Sequence, residues 1–363
     1  MTRLKKLALG GAAAALIMTG AVSKSFAIES GAFQYLAGGT IGLPLGALPP
    51  AGLYTGLTNF EGLYGGMSGN QGGTGPGGGK GIGLGSFGGV VPILWSTGWN
   101  FLGASYGMAI IQPFVTAYAG TGGGAPAGVN ANTTCSSSGA LFFVPAFNGA
   151  GFCAWQNMII NTVWQPLDLS WNWGNGWFTS VYFSFQAPMG TRVTGTANPD
   201  WWTFSPGFAV SYLSPQWNLS ANFVYNVYTA SQGIATNLGG TPFGSGYTSG
   251  NQFAGDLHAL YKLGKWSFGP VGYFVAQTTT DRAGGPGCAA LALSALASVG
   301  CANQSFVGVG GLVGYDFGPV DVQVWVTDTV SSQNTGENGW IVWSRLGFRL
   351  WAPEAAKPLV AKN

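Results

Sequence analysis

The stretch Trp217–Tyr228, WNLSANFVYNVY, changes character at every step. Trp217, Leu219, Ala221, Phe223, Tyr225 and Val227 occupy the odd positions, and Asn218, Ser220, Asn222 and Asn226 lie between them. Period two belongs to an extended strand, whose successive side chains point to opposite faces. The pattern recurs in PVDVQVWVTDT, where Val320, Val322, Val324 and Val326 alternate with Asp321, Gln323, Trp325 and Thr327. It recurs again in WFTSVYFSFQA and in QPLDLSWNW, where Leu167, Leu169 and Trp171 oppose Asp168, Ser170 and Asn172. Strands of this kind need an apolar medium against one face and a wet one against the other.

Such runs place strands near residues 52–63, 82–96, 101–118, 155–172, 177–187, 201–213, 217–229, 248–262, 266–279, 305–316, 320–331 and 339–351. The connections alternate in length. STGWN, WGNG, SPQ, LGK and FGP are short; 64–81, 119–154, 188–200, 230–247, 280–304 and the lesser 332–338 are long. Short turns at one end, long loops at the other and an even strand count describe an all-β fold. The expected architecture is a transmembrane antiparallel up-and-down β-barrel of about 12 strands. A soluble sandwich has no reason to keep that asymmetry. Aromatic residues crowd the short turns, among them Trp171, Trp173, Trp177, Tyr212, Trp217, Tyr261, Trp266, Tyr315, Phe317 and Trp351. Amphipathic rings favour the headgroup boundary, so this end is expected to carry the periplasmic girdle. Closure would pair every backbone group, as hydrocarbon requires.

Residues 1–27 join Arg3, Lys5 and Lys6 to an apolar run and a small-residue site ending at Ala27, the pattern of a secretory signal peptide. After it no apolar stretch reaches the roughly 20 residues of a membrane helix. Residues 28–51 are apolar and Gly-rich, and would either plug the lumen or hang as a periplasmic arm; 52–351 would be the barrel and 352–363 a periplasmic tail. Only 7% of residues are charged. Removing Arg3, Lys5, Lys6 and Lys24 from the 13 Lys and Arg leaves nine against 11 Asp and Glu, a net −2. No basic patch remains for nucleic acid. Cys135 with Cys153 and Cys288 with Cys301 are the economical disulfides in an exported chain. Neither pair has C-x-x-C spacing and the single histidine, His258, is remote, so no metal site is expected.

The segments GALPPAGLY, WWTFSPGFAVSYLSPQWNLSANFVYNVYTAS, YTSGNQFAGDLHALYKLGKWSFGPVGYF and GLVGYDFGPVDVQVWVTDTV resemble the bacterial MetA-pathway of phenol degradation family. Its members are outer-membrane transporter-like proteins. The likeness covers most of the mature chain and is strongest over 164–351. It implies a barrel in a Gram-negative outer membrane and, through the family's label, uptake of aromatic or other apolar compounds. It supplies no binding-residue motif.

Other motifs are weaker. GLGSFG, Gly83 to Gly88, matches G-x-G-x-x-G but sits in an expected strand without a following helix, and TGPGGGKG fails the phosphate-loop pattern at both ends. No cofactor is expected. A barrel phospholipase would need a serine beside a general base, and His258 is the one imidazole available. It shares parity with Gln252 and Asp256, which points it into the lumen, away from lipid, and no enzyme is expected. If the last hairpin is symmetric about Thr335, Asp321 faces Arg349 as an ion pair, and Arg345 rests on Trp325 directly opposite. These four with Asp168, Asp256 and His258 form an inward ring that either staples the wall or narrows a path for solute. The segments GALFFVPAFNGAGF and AALALSALASV make the Cys-bounded loops apolar, so they would pack as a lid or capture a hydrophobic ligand. The expected function is passive uptake of small apolar or aromatic molecules, with membrane lipid and such a solute as partners. A structural or surface-interaction barrel is the alternative.

Overall fold

A computed structural model describes residues 35–64, 82–121, 153–190, 200–232, 248–280, 282, 305–333 and 339–353. The expected signal peptide, the loops bearing Cys135, Cys288 and Cys301, the side chain of Cys153 and the tail after residue 353 lie outside them. The strands are β1 Gly52–Tyr64, β2 Ile82–Phe101, β3 Ala104–Thr121, β4 Cys153–Ile159, β5 Val163–Gly174, β6 Trp177–Gln186 and β7 Thr203–Leu213. They continue as β8 Trp217–Tyr228, β9 Gln252–Leu263, β10 Trp266–Gln277, β11 Ser305–Asp316, β12 Val320–Gln333 and β13 Gly339–Trp351. Apart from β4 and β5, which do not pair with each other, consecutive strands pair antiparallel, and β1 pairs with β13, which closes the sheet. Both β4 and β5 pair with β3, one above the other, so the thirteen segments make a twelve-stranded barrel with one wall position interrupted at 160–162. Twelve residues at about 3.3 Å each, tilted near 45°, rise roughly 28 Å, the thickness of a hydrocarbon layer.

Two boundaries differ from the alternation pattern. STGWN is not the turn: β2 runs on to Phe101, with its register to β3 shifting between Ser96 and Asn100, and the chain reverses at Leu102 and Gly103. The expected strand over 155–172 is broken because the β3–β5 register shifts near Gly107 while β4 continues along β3 at Phe114. Asn175 and Gly176, both at positive φ, form the two-residue reversal between β5 and β6, the geometry that matches strand twist. Leu102 adopts φ 53 in the equivalent place between β2 and β3, where its Cβ crowds the backbone. Leu102→Asn is therefore expected to stabilise the barrel by about 0.5–1 kcal/mol, read as a higher urea midpoint in lipid vesicles.

The distribution of polarity is inverted relative to a water-soluble domain. Val181, Phe208, Val313, Val324, Leu346 and Phe348 face outward and are exposed, whereas Asn222, Asn226, Asp256, Gln323 and Arg345 are buried inside. Outward aromatics touch across the short-turn end: Trp177 with Tyr212, Trp217 with Tyr261, and Trp266 with Tyr315, their centroids 5.1, 5.1 and 4.7 Å apart. A second set, Phe185, Trp202 and Phe204, marks the long-loop end. Two aromatic belts bounding an apolar band are the surface a bilayer selects.

The interior has two characters. On β6–β8 it is lined by Ser180, Ser184, Ser205, Ser211, Asn222 and Asn226. On β10–β13 and β1 it is lined by Tyr273, Phe306, Trp325, Ile341, Trp343 and Phe60, which form one buried cluster.

Candidate lumen site

Residues 35–50 lie inside the barrel as a chain of tight turns, with Gly39 N–H donating to the Leu36 carbonyl and Ala47 N–H to that of Pro44. Glycine permits this close approach: a Cβ on Gly38 would lie 2.8 Å from the Trp343 ring, and one on Gly42 would lie 2.2 Å from Gln323 Oε1. Both also have positive φ.

Two charged wall residues hold this segment by its backbone. The Asp256 carboxylate accepts from Gly38 N–H at 2.8 Å, Thr40 N–H at 3.0 Å, Thr40 Oγ1 at 2.5 Å and the Tyr35 hydroxyl at 3.1 Å. From the opposite wall the Arg345 guanidinium donates to the carbonyls of Gly39 and Ile41. N–H groups thus meet the anion and alternate carbonyls meet the cation, and charge-assisted bonds of this kind are the stronger ones. Arg345 also donates to Thr58 Oγ1 at 2.9 Å and Gln323 Oε1 at 3.2 Å, and its Cζ sits 4.9 Å from the Trp325 ring centroid. Trp325 in turn stacks on Trp343, 5.5 Å between centroids and 5° from parallel.

Neutral groups complete the contacts. Gly42 N–H donates to His258 Nδ1 at 3.1 Å, and Asn218 Nδ2 donates to the Gly42 carbonyl at 3.3 Å. Ser180 and Ser170 donate to the carbonyls of Leu45 and Gly46, and Ser211 Oγ accepts from Gly46 N–H. Asn222 Nδ2 reaches the Tyr35 oxygen at 3.1 Å while its Oδ1 accepts from Tyr182 at 2.6 Å.

A family model described as "Putative MetA-pathway of phenol degradation" matches residues 67–345, most of the chain. The chain belongs to this family. A search of curated proteins finds no significant sequence match. Among solved structures, the phenol-degradation family member is similar to the COG4313 outer membrane channel from Pseudomonas putida F1. The TM-score is 0.58 at 11% identity, covering 83% of this chain and 96% of that one. The transport unit of the autotransporter AIDA-I from Escherichia coli gives a TM-score of 0.40 at 10% identity over 83% and 90%. The Ralstonia pickettii toluene transporter TbuX gives 0.38 at 10% identity over 84% and 91%. The first likeness establishes a shared outer-membrane barrel fold.

In this phenol-degradation family member Asp256, His258 and Arg345 converge on the 35–42 turn, and Trp325 lies behind Arg345. Asp168 is buried lower on β5, where Gln165 Nε2 donates to its Oδ2 at 3.1 Å. The last hairpin is displaced by two residues from symmetry about Thr335: Asp321 faces Gly347, Gln323 faces Arg345, and Trp325 faces Trp343. Arg349 is exposed and pairs in register with Tyr54 on β1, so the expected pairing of Asp321 with Arg349 is not the one adopted. A two-residue slip preserves inward parity, which is why Arg345 still reaches Trp325, now as a diagonal neighbour. Alternation alone overlooked Tyr35, Phe60, Tyr182, Asn222, Tyr273 and Trp343 as members of one site. Trp343 was legible in GWIVWSRLGFRLW, where it shares parity with Arg345.

Proposed function

We propose that this chain is a channel of a Gram-negative outer membrane, exported by residues 1–27, that admits small apolar or aromatic molecules passively. The observation carrying this reading is the divided lumen, with a buried aromatic wall of Phe60, Tyr273, Trp325 and Trp343 opposite a wall of serine and asparagine. A water-filled pore for polar solutes has no use for stacked indoles, whereas an aromatic solute gains ring contacts on one side and keeps its polar edge satisfied on the other. The family's link to phenol degradation supports the same solute class. Asp256, His258, Trp325 and Arg345 are read as the constriction, with residues 35–50 as its inner lining. Asp168, Asp321 and Arg349 are polar wall groups away from that turn, and no lumen group is assigned a catalytic role.

The second reading, a barrel without transport, draws on the same segment, since residues 35–50 occupy the lumen of the described barrel. Proteoliposomes holding the mature protein decide between them. Toluene and p-cresol are expected to equilibrate at least several-fold faster than in protein-free vesicles. Rates equal to the protein-free control, with the barrel intact by circular dichroism, leave the barrel without transport as the correct account.

A further inference from the structure

Tyr35 is a phenol held in the wall of the lumen by its own chain. Its hydroxyl donates to Asp256 Oδ2 and accepts from Asn222 Nδ2, each at 3.1 Å. Asn222 and Asp256 stand directly opposite each other on β8 and β9, so a single cross-strand pair supplies both halves of the contact. The direction of the carboxamide is fixed. Tyr182 donates to Asn222 Oδ1 at 2.6 Å, which leaves the amide N–H groups facing Tyr35 and Thr40. Tyr182 can lie there because its neighbour across β7 is Gly207, whose missing Cβ would fall 2.1 Å from the Tyr182 ring. The Tyr35 ring packs against the buried hydrophobic cluster that includes the aromatic wall.

The geometry points to a recognition site for a phenolic hydroxyl, formed by Asp256 and Asn222 and bordered by the aromatic wall, with Tyr35 occupying it as a stand-in for solute. The ligand class is a neutral monocyclic phenol. A hydroxyl donates to a carboxylate and accepts from an amide through the same atom, whereas a hydrocarbon leaves both wall groups unpaired. Burial and the neighbouring Asp256 carboxylate push the Tyr35 hydroxyl well above its ordinary range, which favours the protonated phenol over phenolate. Discrimination of this kind is large when a site is built for a hydroxyl and the competitor lacks it. The inference rests on the channel reading for its biological use but not for its test.

The test uses p-cresol and toluene, the side chains of tyrosine and phenylalanine capped by hydrogen, with mature detergent-solubilised protein and isothermal titration. Tyr35→Ala is expected to bind p-cresol at least tenfold more tightly than the unmodified protein does, and at least tenfold more tightly than it binds toluene. Adding Asn222→Ala or Asp256→Ala to Tyr35→Ala is expected to abolish that preference while toluene binding persists. Should Tyr35→Ala bind the two ligands equally, or keep its preference in both double variants, the hydroxyl site is wrong. Vesicle flux separates this result from the transport question. Selective binding without flux overturns the channel and keeps the site; flux without selective binding does the reverse.

Discussion

Asp256→Ala is expected to raise single-channel conductance in planar bilayers several-fold. Four donors of the N-terminal segment converge on that carboxylate, two of them backbone N–H groups that have no side-chain substitute. Removing the acceptor from a buried, charge-assisted cluster costs on the order of 3–5 kcal/mol. Each 1.4 kcal/mol is about tenfold in an equilibrium constant, so the docked population falls by more than a hundredfold relative to the released one. The loss is also asymmetric, because Arg345 keeps the carbonyls of Gly39 and Ile41 but no longer has a counter-anion on the other side of the turn. His258→Ala serves as the comparison. It removes one contact, from Gly42 N–H at 3.1 Å, and should alter conductance much less. Conductance of Asp256→Ala indistinguishable from that of the unmodified barrel would show that this grip does not govern the lumen.

Val324→Arg is expected to lower stability in phospholipid vesicles by about 1–3 kcal/mol, seen as a reduced urea midpoint. Val324 faces outward on the short-turn half of β12, one outward position beyond Val322 and its girdle partner Tyr315 and beside Val313 on β11, and both valines are exposed in the isolated chain. At that depth a guanidinium has no water within reach and no partner on the neighbouring strands, where Ser344 is its cross-strand neighbour on β13. The adjacent residue offers an internal control. Gln323 points inward and already accepts from Arg345, so Gln323→Glu places charge one residue away on the lumenal face at far smaller cost. A soluble protein would reverse this order, since an exposed Val→Arg change is nearly neutral in water. Equal tolerance at both positions would mean that the outer surface does not meet hydrocarbon.

The barrel was legible in the chain because its defining signal is local. Alternation needs only four to eight consecutive residues, and a side chain two positions along returns to the same face whatever the rest of the molecule does. Ser305–Asp316 and Gly339–Trp351 coincide with the spans read from alternation. The errors fell where alternation carries no information. STGWN looks like a turn because it contains Gly98, yet β2 crosses it with a register shift, and the reversal falls at Leu102, a residue with no turn signature. The hairpin centre was misplaced by one residue, which slips the pairing by two, and a slip of two leaves every side chain on its expected face.

The candidate site was legible in part. Parity put Asp256, His258, Trp325 and Arg345 inside; the two charged residues and the histidine bond the same turn, and Trp325 lies against Arg345. Tyr35 carried no such signal. It lies in an apolar, Gly-rich stretch without periodicity, and its role depends on Asn222 and Asp256, nearly two hundred positions or more away in sequence. Tyr182 shares parity with Ser180 and Ser184, but only the register of β6 to β7 and the open space at Gly207 let it orient Asn222.

Sequence by itself determined that this chain forms a two-faced sheet of about twelve strands with an oily exterior, because period-two patterning and connection lengths are written residue by residue. The tertiary structure decided which residues meet inside: that an aromatic wall stands opposite a polar one, and that the N-terminal turn sits between Asp256 and Arg345. Those contacts join β1, β8, β9, β12, β13 and residues 35–42 across the closed cylinder. Their distances depend on barrel closure and strand register, which no local stretch of sequence encodes.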